Sequence, residues 1–370
     1  MQFLLDEQQI EVKENAERLL KENLDNQKLI EQVSSDLRLD RDLWKLIVDQ
    51  GWLALDIPEE HGGVGFSFVE QSILHEALGY SLPIVPFLSS GVMFKNLILD
   101  SGREDVLNEI ISGEKIGAVA YSESTTSWHD TSTVKSSIEK KGEGYILNGR
   151  KDYVLFGDSS DYFLVIATLE NSEHLVLVNS DTEGVLCTPT TSLDQTRPLA
   201  SVEFKNVEVD SDSIILSGEE LNQSWKKMLL LTTSALSIEQ VGGATACMEM
   251  SVQYAKDRIQ FGRPIGSFQA VQHLCADMLL QLESAKSTAY TACRSSSEDL
   301  VEFDMNANIA RAYCSEAFNK ISGDNIQIHA GIGFTWEHPA HLYFKRAKSD
   351  SLMLGSSKDA RDRVGTLIGI

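Results

Sequence analysis

Two helical periods meet at Phe261-Gly262-Arg263-Pro264, and this joint constrains the chain more than any other stretch. Upstream, Ala246, Met250, Val252, Tyr254 and Ala255 keep apolar residues close to helical spacing. Gly262 then frees φ and Pro264 removes a donor N–H, so the helix cannot run on. Ser267 reads as the N-cap of a second helix that runs from Phe268 towards Ser295. Two long helices joined by so tight a turn form an αα-hairpin. Arg258, Gln260, Arg263 and Gln269 crowd the joint. Guanidinium forks and amides at such a corner suit a phosphate or the polar edge of a ring. The plainer reading is a helix corner with surface arginines.

Around this joint the chain divides into three zones. Residues 1–115 read as all-helical. Phe3, Leu4, Ile10, Val12, Ala16 and Leu19-Leu20 mark one amphipathic helix, and residues 43–50 a second that Gly51 ends. A loop over 57–63 follows, then helical runs at 68–78, 91–99 and 104–111. Across 116–215 the period shortens. Runs rich in Val, Ile, Tyr and Phe alternate with Gly, Asn, Asp and Ser, as antiparallel strands do. Asn148-Gly149, between strand formers, is the strongest hairpin signal there. Residues 216–370 return to helices, at 221–255, 268–295 and 301–322. The expected class is α+β: an N-terminal helical domain over 1–115, a middle antiparallel β domain over 116–215 and a C-terminal helical bundle over 216–370.

Charge narrows the partners. The 370 residues carry a formal net charge of −23, which argues against nucleic acid or an anionic membrane. An anionic ligand would need a local basic pocket, for which Arg258, Arg263 and Lys345-Arg346 are candidates. The five cysteines (Cys187, Cys247, Cys275, Cys293 and Cys314) show no CxxC spacing, and four lie in helical apolar patterns. They predict small buried hydrophobes in a reduced, cytoplasmic setting, with no metal site. The start of the chain lacks the basic opening and apolar core of a signal peptide. No apolar run approaches the ~20 residues that a membrane span needs. His61 and His75 stand alone and are expected to be structural or surface groups.

Three blocks carry a family resemblance. They are IPEEHGGVG at Ile57 to Gly65, the run from Arg258 to Met278 (RIQFGRPIGSFQAVQHLCADM), and IQIHAGIGFTWEHPAHLYFKR at Ile326 to Arg346. All three closely resemble signatures of the acyl-CoA dehydrogenase family, FAD-dependent enzymes that desaturate acyl-CoA thioesters. The family fold has a helical domain, a middle β domain and a C-terminal four-helix bundle. The resemblance implies that Arg258, Gln260, Phe261 and Gln269, with Gln327 and Gly331 downstream, reach the FAD of a neighbouring subunit. It therefore implies an oligomer, an acyl-CoA substrate and an electron-transfer flavoprotein as electron acceptor. The alternative is a loop kept for subunit packing alone.

Desaturation beside a thioester needs a carboxylate for the α-proton, a platform for the flavin and donors on the thioester carbonyl. The flavin platform departs from the family pattern. Members usually carry Thr-Glu-Pro-x-x-Gly-Ser-Asp where this chain has Ser122-Glu123-Ser124-Thr125-Thr126-Ser127-Trp128. Ser122 keeps a hydroxyl, which the resemblance implies is a cofactor contact, but the Gly-Ser-Asp tail is gone. The Trp-Ile-Thr strand becomes Tyr153-Val154-Leu155, and Leu155 has no donor to offer. The base departs further. Most members place Glu where Leu354 precedes Gly355, and a minority place it where Thr232 stands. Thr233 replaces an Arg that many members use near substrate. Glu239 shares the face of Thr232 but lies ~10 Å further along the axis at 1.5 Å per residue, which makes it a weak candidate base.

One subgroup resembles this pattern. Bacterial steroid-degrading members share the Gln-Val-Gly-Gly helix segment (Gln240 to Gly243), the hairpin run and the HAGIGFTWEH block. They assemble as α2β2 heterotetramers in which one subunit type carries the base and the other lacks it. The expected function is the base-lacking partner in a dehydrogenase for a bulky, sterol-like acyl-CoA. The alternatives are a homotetrameric enzyme using Glu239 or another acid, and a flavin-free scaffold or CoA-thioester binder.

Overall fold

The computed structural model describes residues 5–123, 134–170 and 172–370. The first helices are α1 (Glu7–Asn23), α2 (Asn26–Ser34), α3 (Arg41–Asp49), α4 (Phe68–Ser81), α5 (Lys95–Ser101) and α6 (Glu104–Ile111). The strands are β1 (Gly117–Ala120), β2 (Ser137–Lys141), β3 (Gly144–Leu155), β4 (Tyr162–Leu169), β5 (Ser172–Asn179), β6 (Val185–Thr190), β7 (Leu199–Val209) and β8 (Ile214–Ser217). Helix α7 (Gly218–Asp257) leads to a small hairpin of β9 (Ile259–Gln260) and β10 (Arg263–Pro264). Helices α8 (Gln269–Arg294), α9 (Leu300–His329), α10 (Ala340–Asp350) and α11 (Ser357–Leu367) complete the order. Helical, β and helical zones thus follow one another as expected. Helix α2 has no counterpart among the expected elements, because its nine residues bury only Leu29, Gln32 and Val33. No helix among the described residues is long and apolar enough to cross a membrane.

The chain forms two compact units. The first comprises Met1–Leu37, Phe66–Pro83 and Thr233–Ile370. Helix α4 begins with a capping box in which Ser67 and Glu70 satisfy each other's backbone amides. Its backbone touches that of α7. A Cβ on Gly79 would lie 2.0 Å from the Glu239 carbonyl, and one on Gly242 would lie 2.0 Å from the Glu76 carbonyl. Gly243 lies against the Phe318 ring, 2.5 Å from where its Cβ would be. The paired glycines after Gln240 are therefore demanded by helix packing. Helix α9 packs against α8, α10 and α11.

The second unit comprises Arg38–Gly65 and Ile84–Thr232. Its sheet runs β6-β7-β3-β2-β4-β5-β8, with β1 beside β4. The antiparallel expectation describes most of the ladders, but β1 and β2 pair with β4 in parallel. Phe163 to Ala167 of β4 is buried on both faces, so it packs apolar side chains above and below the sheet. The Asn148-Gly149 hairpin expectation is wrong. Both residues lie inside β3, at a register shift against β7. Asn148 Oδ1 accepts the Asn206 amide at 2.8 Å, and a Cβ on Gly149 would meet Ser136 Oγ at 2.1 Å. The dipeptide serves a bulge and a close approach. The reversal comes earlier, at Gly142-Glu143, where Gly142 has φ +63°.

Candidate functional site

Helix α7 stops at Asp257, and the next residues make a two-residue reversal. Gln260 pairs with Arg263, and Ile259 with Pro264. Phe261 and Gly262 between them have φ +52° and +74°, as a type I′ turn requires. Glycine takes that conformation freely; for a bulky residue it is a strained outlier. Phe261 bears the strain while its ring is 92% exposed. Its ring meets Phe268 edge to face, 6.1 Å between centroids, and is otherwise exposed. The Arg263 guanidinium stacks 4.1 Å over Phe268. Arg258, Gln260 and Gln269 point outward and are exposed. Ser267 is not the cap of α8. It lies in a 3-10 turn, its hydroxyl donates to the Pro264 carbonyl at 2.7 Å, and Phe268 occupies the N-cap.

Gln327 is exposed on the last turn of α9, and Gly331 is exposed just beyond it. Nothing lies within 4 Å of a Cβ built on Gly331, and its φ is ordinary. The fold alone does not require glycine there. Beside it runs a ring cluster that sequence reasoning missed. Tyr254, His329 and His338 stack in series at 4.3 and 4.4 Å, Trp336 lies 4.9 Å from His341, and Lys345 Nζ sits 4.1 Å over Trp336. Burial, then the neighbouring His329, pushes His338 down to about 4. Burial, Lys345 and His338 push His341 down to about 4. The rings are therefore neutral near pH 7.

The two positions expected from the resemblance to carry a base hold no acid. Thr232 is fully buried, and its hydroxyl donates to the Met228 carbonyl at 2.7 Å. Thr233 is buried one residue on. Leu354 is 3% exposed and left-handed, with φ +56°. Its loop hangs on Arg311 of α9, whose Nη2 donates to the carbonyls of Asp350, Met353 and Gly355 at 2.7, 2.6 and 2.7 Å. Burial lowers the Arg311 guanidinium to about 10, so it stays charged at neutral pH. Glu239 is buried, with Oε1 at 2.8 Å from His75 Nδ1 on α4. Its carboxylate is tied into the interhelical contact, and His75 is structural.

In the second unit, Ser122 is buried, and its carbonyl accepts the Asp152 amide at 2.8 Å. Glu123 accepts the amides of Lys135 and Ser136, the Ser136 hydroxyl and the buried ammonium of Lys151. Burial pushes the Glu123 carboxyl up, but the bonds from Lys151 and Ser136 outweigh it and leave it below its ordinary value. Burial pushes the Lys151 ammonium down despite Glu123. Leu155 is buried at the end of β3, after a bulge at Tyr153 with φ +59°. Ser124 to Trp128, where the Gly-Ser-Asp tail is missing, fall outside the described residues.

Comparison with known proteins bears on the whole length. The N-terminal, middle and C-terminal domain models of acyl-CoA dehydrogenase match residues 6–114, 118–207 and 226–368. The chain is 31% identical over 335 residues to acyl-CoA dehydrogenase IpdE2 of Mycolicibacterium smegmatis, covering 90% of this chain and 89% of that one. The ChsE4-ChsE5 complex from Mycobacterium tuberculosis is similar at 27% identity and a TM-score of 0.90, over 100% of this chain and 99% of the other. A variant of the Tcur3481-Tcur3483 steroid ACAD is similar at 25% identity and a TM-score of 0.86, over 98% of both chains.

Proposed function

The chain belongs to the acyl-CoA dehydrogenase family, FAD-dependent oxidoreductases acting on the CH–CH group of acyl-CoA, and on that premise we propose that it is the base-lacking subunit of a heteromeric member for a bulky, sterol-like acyl-CoA. One observation carries this reading. Leu354 and Thr232 hold the two base positions as buried groups that cannot take a proton, and Glu239 is engaged by His75. General-base work needs heavy-atom reach of about 3 Å to the proton.

On this reading the chain contributes half of a flavin site to a homologous catalytic subunit in an α2β2 assembly. Arg258, Gln260, Phe261, Gln269, Gln327 and Gly331 reach the partner's FAD; Ser122, in the β domain, is a separate proposed cofactor contact. The exposed donors, the strained and exposed Phe261 and the unforced Gly331 fit such a partner-held group. Leu155 does not, since it offers no donor. FAD supplies the hydride-accepting chemistry when bound. The likeness to a ChsE4-ChsE5 complex and to a steroid ACAD of two named chains supports both the partner and the sterol class. Electron-transfer flavoprotein is the proposed acceptor, and 1–115, 116–215 and 216–370 the working domains.

The test is expression alone and with a candidate catalytic partner. Alone, the chain should turn over no acyl-CoA at a rate typical of the family. With the partner, flavin should be retained and a sterol-side-chain thioester desaturated. Robust turnover by the lone chain, abolished by Glu239→Gln, would sink the proposal in favour of a self-sufficient homotetramer.

A further inference from the structure

We propose that the loop after α9, through Ile332, Phe334 and Trp336, is the anchor that seats this chain on the homologous catalytic subunit. The inference rests on the subunit reading above and deepens it. It separates the residues that hold the partner from those that reach its flavin.

Two helices of the first unit stop at the same end. Gly243 of α7 lies against Phe318 of α9, Ser251 Oγ lies 2.8 Å from Asn325 Oδ1, and the Tyr254 ring lies 4.3 Å from His329. These contacts advance in the same direction along both helices, so α7 and α9 run parallel and end side by side, at Asp257 and His329. One continues into the β9-β10 hairpin and the other into the loop.

The loop is held in shape from behind. Ala330 combines φ +53° with ψ −135°, which a residue bearing a Cβ seldom adopts. Gly333 is buried against α9, where a Cβ on it would lie 3.0 Å from that of His329. His338 stacks on His329 at 4.4 Å, and Trp336 meets His341 at 4.9 Å with Lys345 Nζ 4.1 Å over its ring. Yet Ile332, Phe334 and Trp336 are 41%, 67% and 56% exposed. Large apolar groups clustered in solvent mark an interaction surface. Aromatic side chains already fixed in place make strong anchors, because docking has little left to order. The occupant follows from the neighbours of these three. Gln327 and Gly331, which on the proposed reading reach the partner's FAD, stand at the base of the same loop. The subunit that holds that flavin must therefore approach residues 332–336.

The experiment is co-expression with a homologous chain that carries Glu at the position of Leu354, with FAD in excess throughout. Capture through a tag on this chain gives the partner ratio, and interferometry of the separated subunits gives the affinity. The parent should retain the partner. Phe334→Ser/Trp336→Ser should weaken association about tenfold or more, as loss of an aromatic anchor does. Phe334→Ser alone, at the residue outside the ring stack, should weaken it in the same direction, with circular dichroism of the lone chain unchanged. Leu186→Ser/Leu193→Ser, at exposed leucines of the second unit, should behave as the parent does. Arg258→Ala should keep its partner when FAD is in excess, which separates the anchor from the flavin contact. Full affinity in both loop variants would overturn the anchor and leave the subunit reading standing. A parent chain that takes no such partner, or that pairs with itself through this loop, would overturn both.

Discussion

Replacing Lys151 by Met should destabilise the second unit by removing the tie from β3 to Tyr121 and Glu123 while leaving the sheet intact. The Lys151 ammonium is wholly buried and has two acceptors, Glu123 Oε1 at 2.8 Å and the Tyr121 carbonyl at 3.3 Å. Glu123 keeps three other donors, the Lys135 amide at 2.7 Å and the Ser136 amide and hydroxyl at 2.9 and 2.7 Å. Its carboxylate is therefore not stranded, and the ~3–5 kcal/mol cost of an orphaned buried charge does not apply. The charge-assisted bond to Glu123 is lost, about 1.5–3 kcal/mol, together with the longer one to the Tyr121 carbonyl. Relief of the ammonium's desolvation offsets part of that. The net expectation is a loss of about 1–2 kcal/mol at pH 7. The sign with pH follows from Glu123. Its folded value is depressed, so its contribution is present above the unfolded value near 4.5 and fades as pH falls through the folded one. Removing Lys151 lets burial pull the carboxyl back up, so the gap between parent and variant should narrow on acidification below about 4.5. Urea unfolding at pH 7 and pH 4, read by tryptophan fluorescence, measures both. A loss under about 0.5 kcal/mol at pH 7, or a gap that widens in acid, would refute the reasoning.

Three further outcomes are expected. Arg258→Ala should lower the FAD content of the assembled protein about tenfold or more, the equivalent of one charge-assisted bond, with unchanged circular dichroism; undiminished flavin absorbance would mean the corner serves packing. Leu354→Glu should not yield fast anaerobic bleaching of flavin by a sterol-side-chain thioester, because Leu155 still lacks a donor and a misplaced base forfeits the roughly 10²–10⁴-fold that a positioned one gives; bleaching at a normal family rate would show that only the base was missing. His338 and His341 protonate near 6.5 when unfolded and about 4 when folded, so the unfolded chain binds more protons in that window and stability should fall as pH drops from 6.5 to 4; a melting temperature equally steep in the His338→Gln/His341→Gln variant would remove those rings as the cause.

Local chemistry was legible and distant pairing was not. The joint between α7 and α8 could be read because Gly262 and Pro264 act on their own backbone, and the break falls between them and Asp257. Asn148-Gly149 misled because the same dipeptide suits a turn or a bulge, and Asn206 and Ser136 decide between them. Ser267 misled because its hydroxyl found the Pro264 carbonyl before it could cap α8. Glu239 looked like a spare acid on α7 because its partner, His75, is 164 residues away. The Gln-Val-Gly-Gly segment was visible as a resemblance, but its reason was not. Gly242 is there because α4 leaves no room for a Cβ, a fact about two helices and not one.

Strain and packing separate the residues that the fold requires from those that fit the proposed partner. Gly242 and Gly243 are required by contacts inside the chain, so their presence says nothing about ligands. Gly331 meets no such demand, and Phe261 holds a left-handed turn with its ring in solvent. A bulky residue in that region costs roughly 1–2 kcal/mol. The edge-to-face contact with Phe268, at 6.1 Å between centroids, offsets roughly 0.5–1.5 kcal/mol of that, and the rest of the ring is open to whatever lies outside the chain. Leu354 makes the complementary case. It too is left-handed, but its ring of support is internal, with Arg311 donating to the carbonyls on either side of it. At that position the loop carries a leucine where a proposed base would need a carboxylate. Arg311 thus ties the loop's geometry to the packing of α9, while on the proposed reading the exposed, left-handed Phe261 serves a surface that meets another subunit.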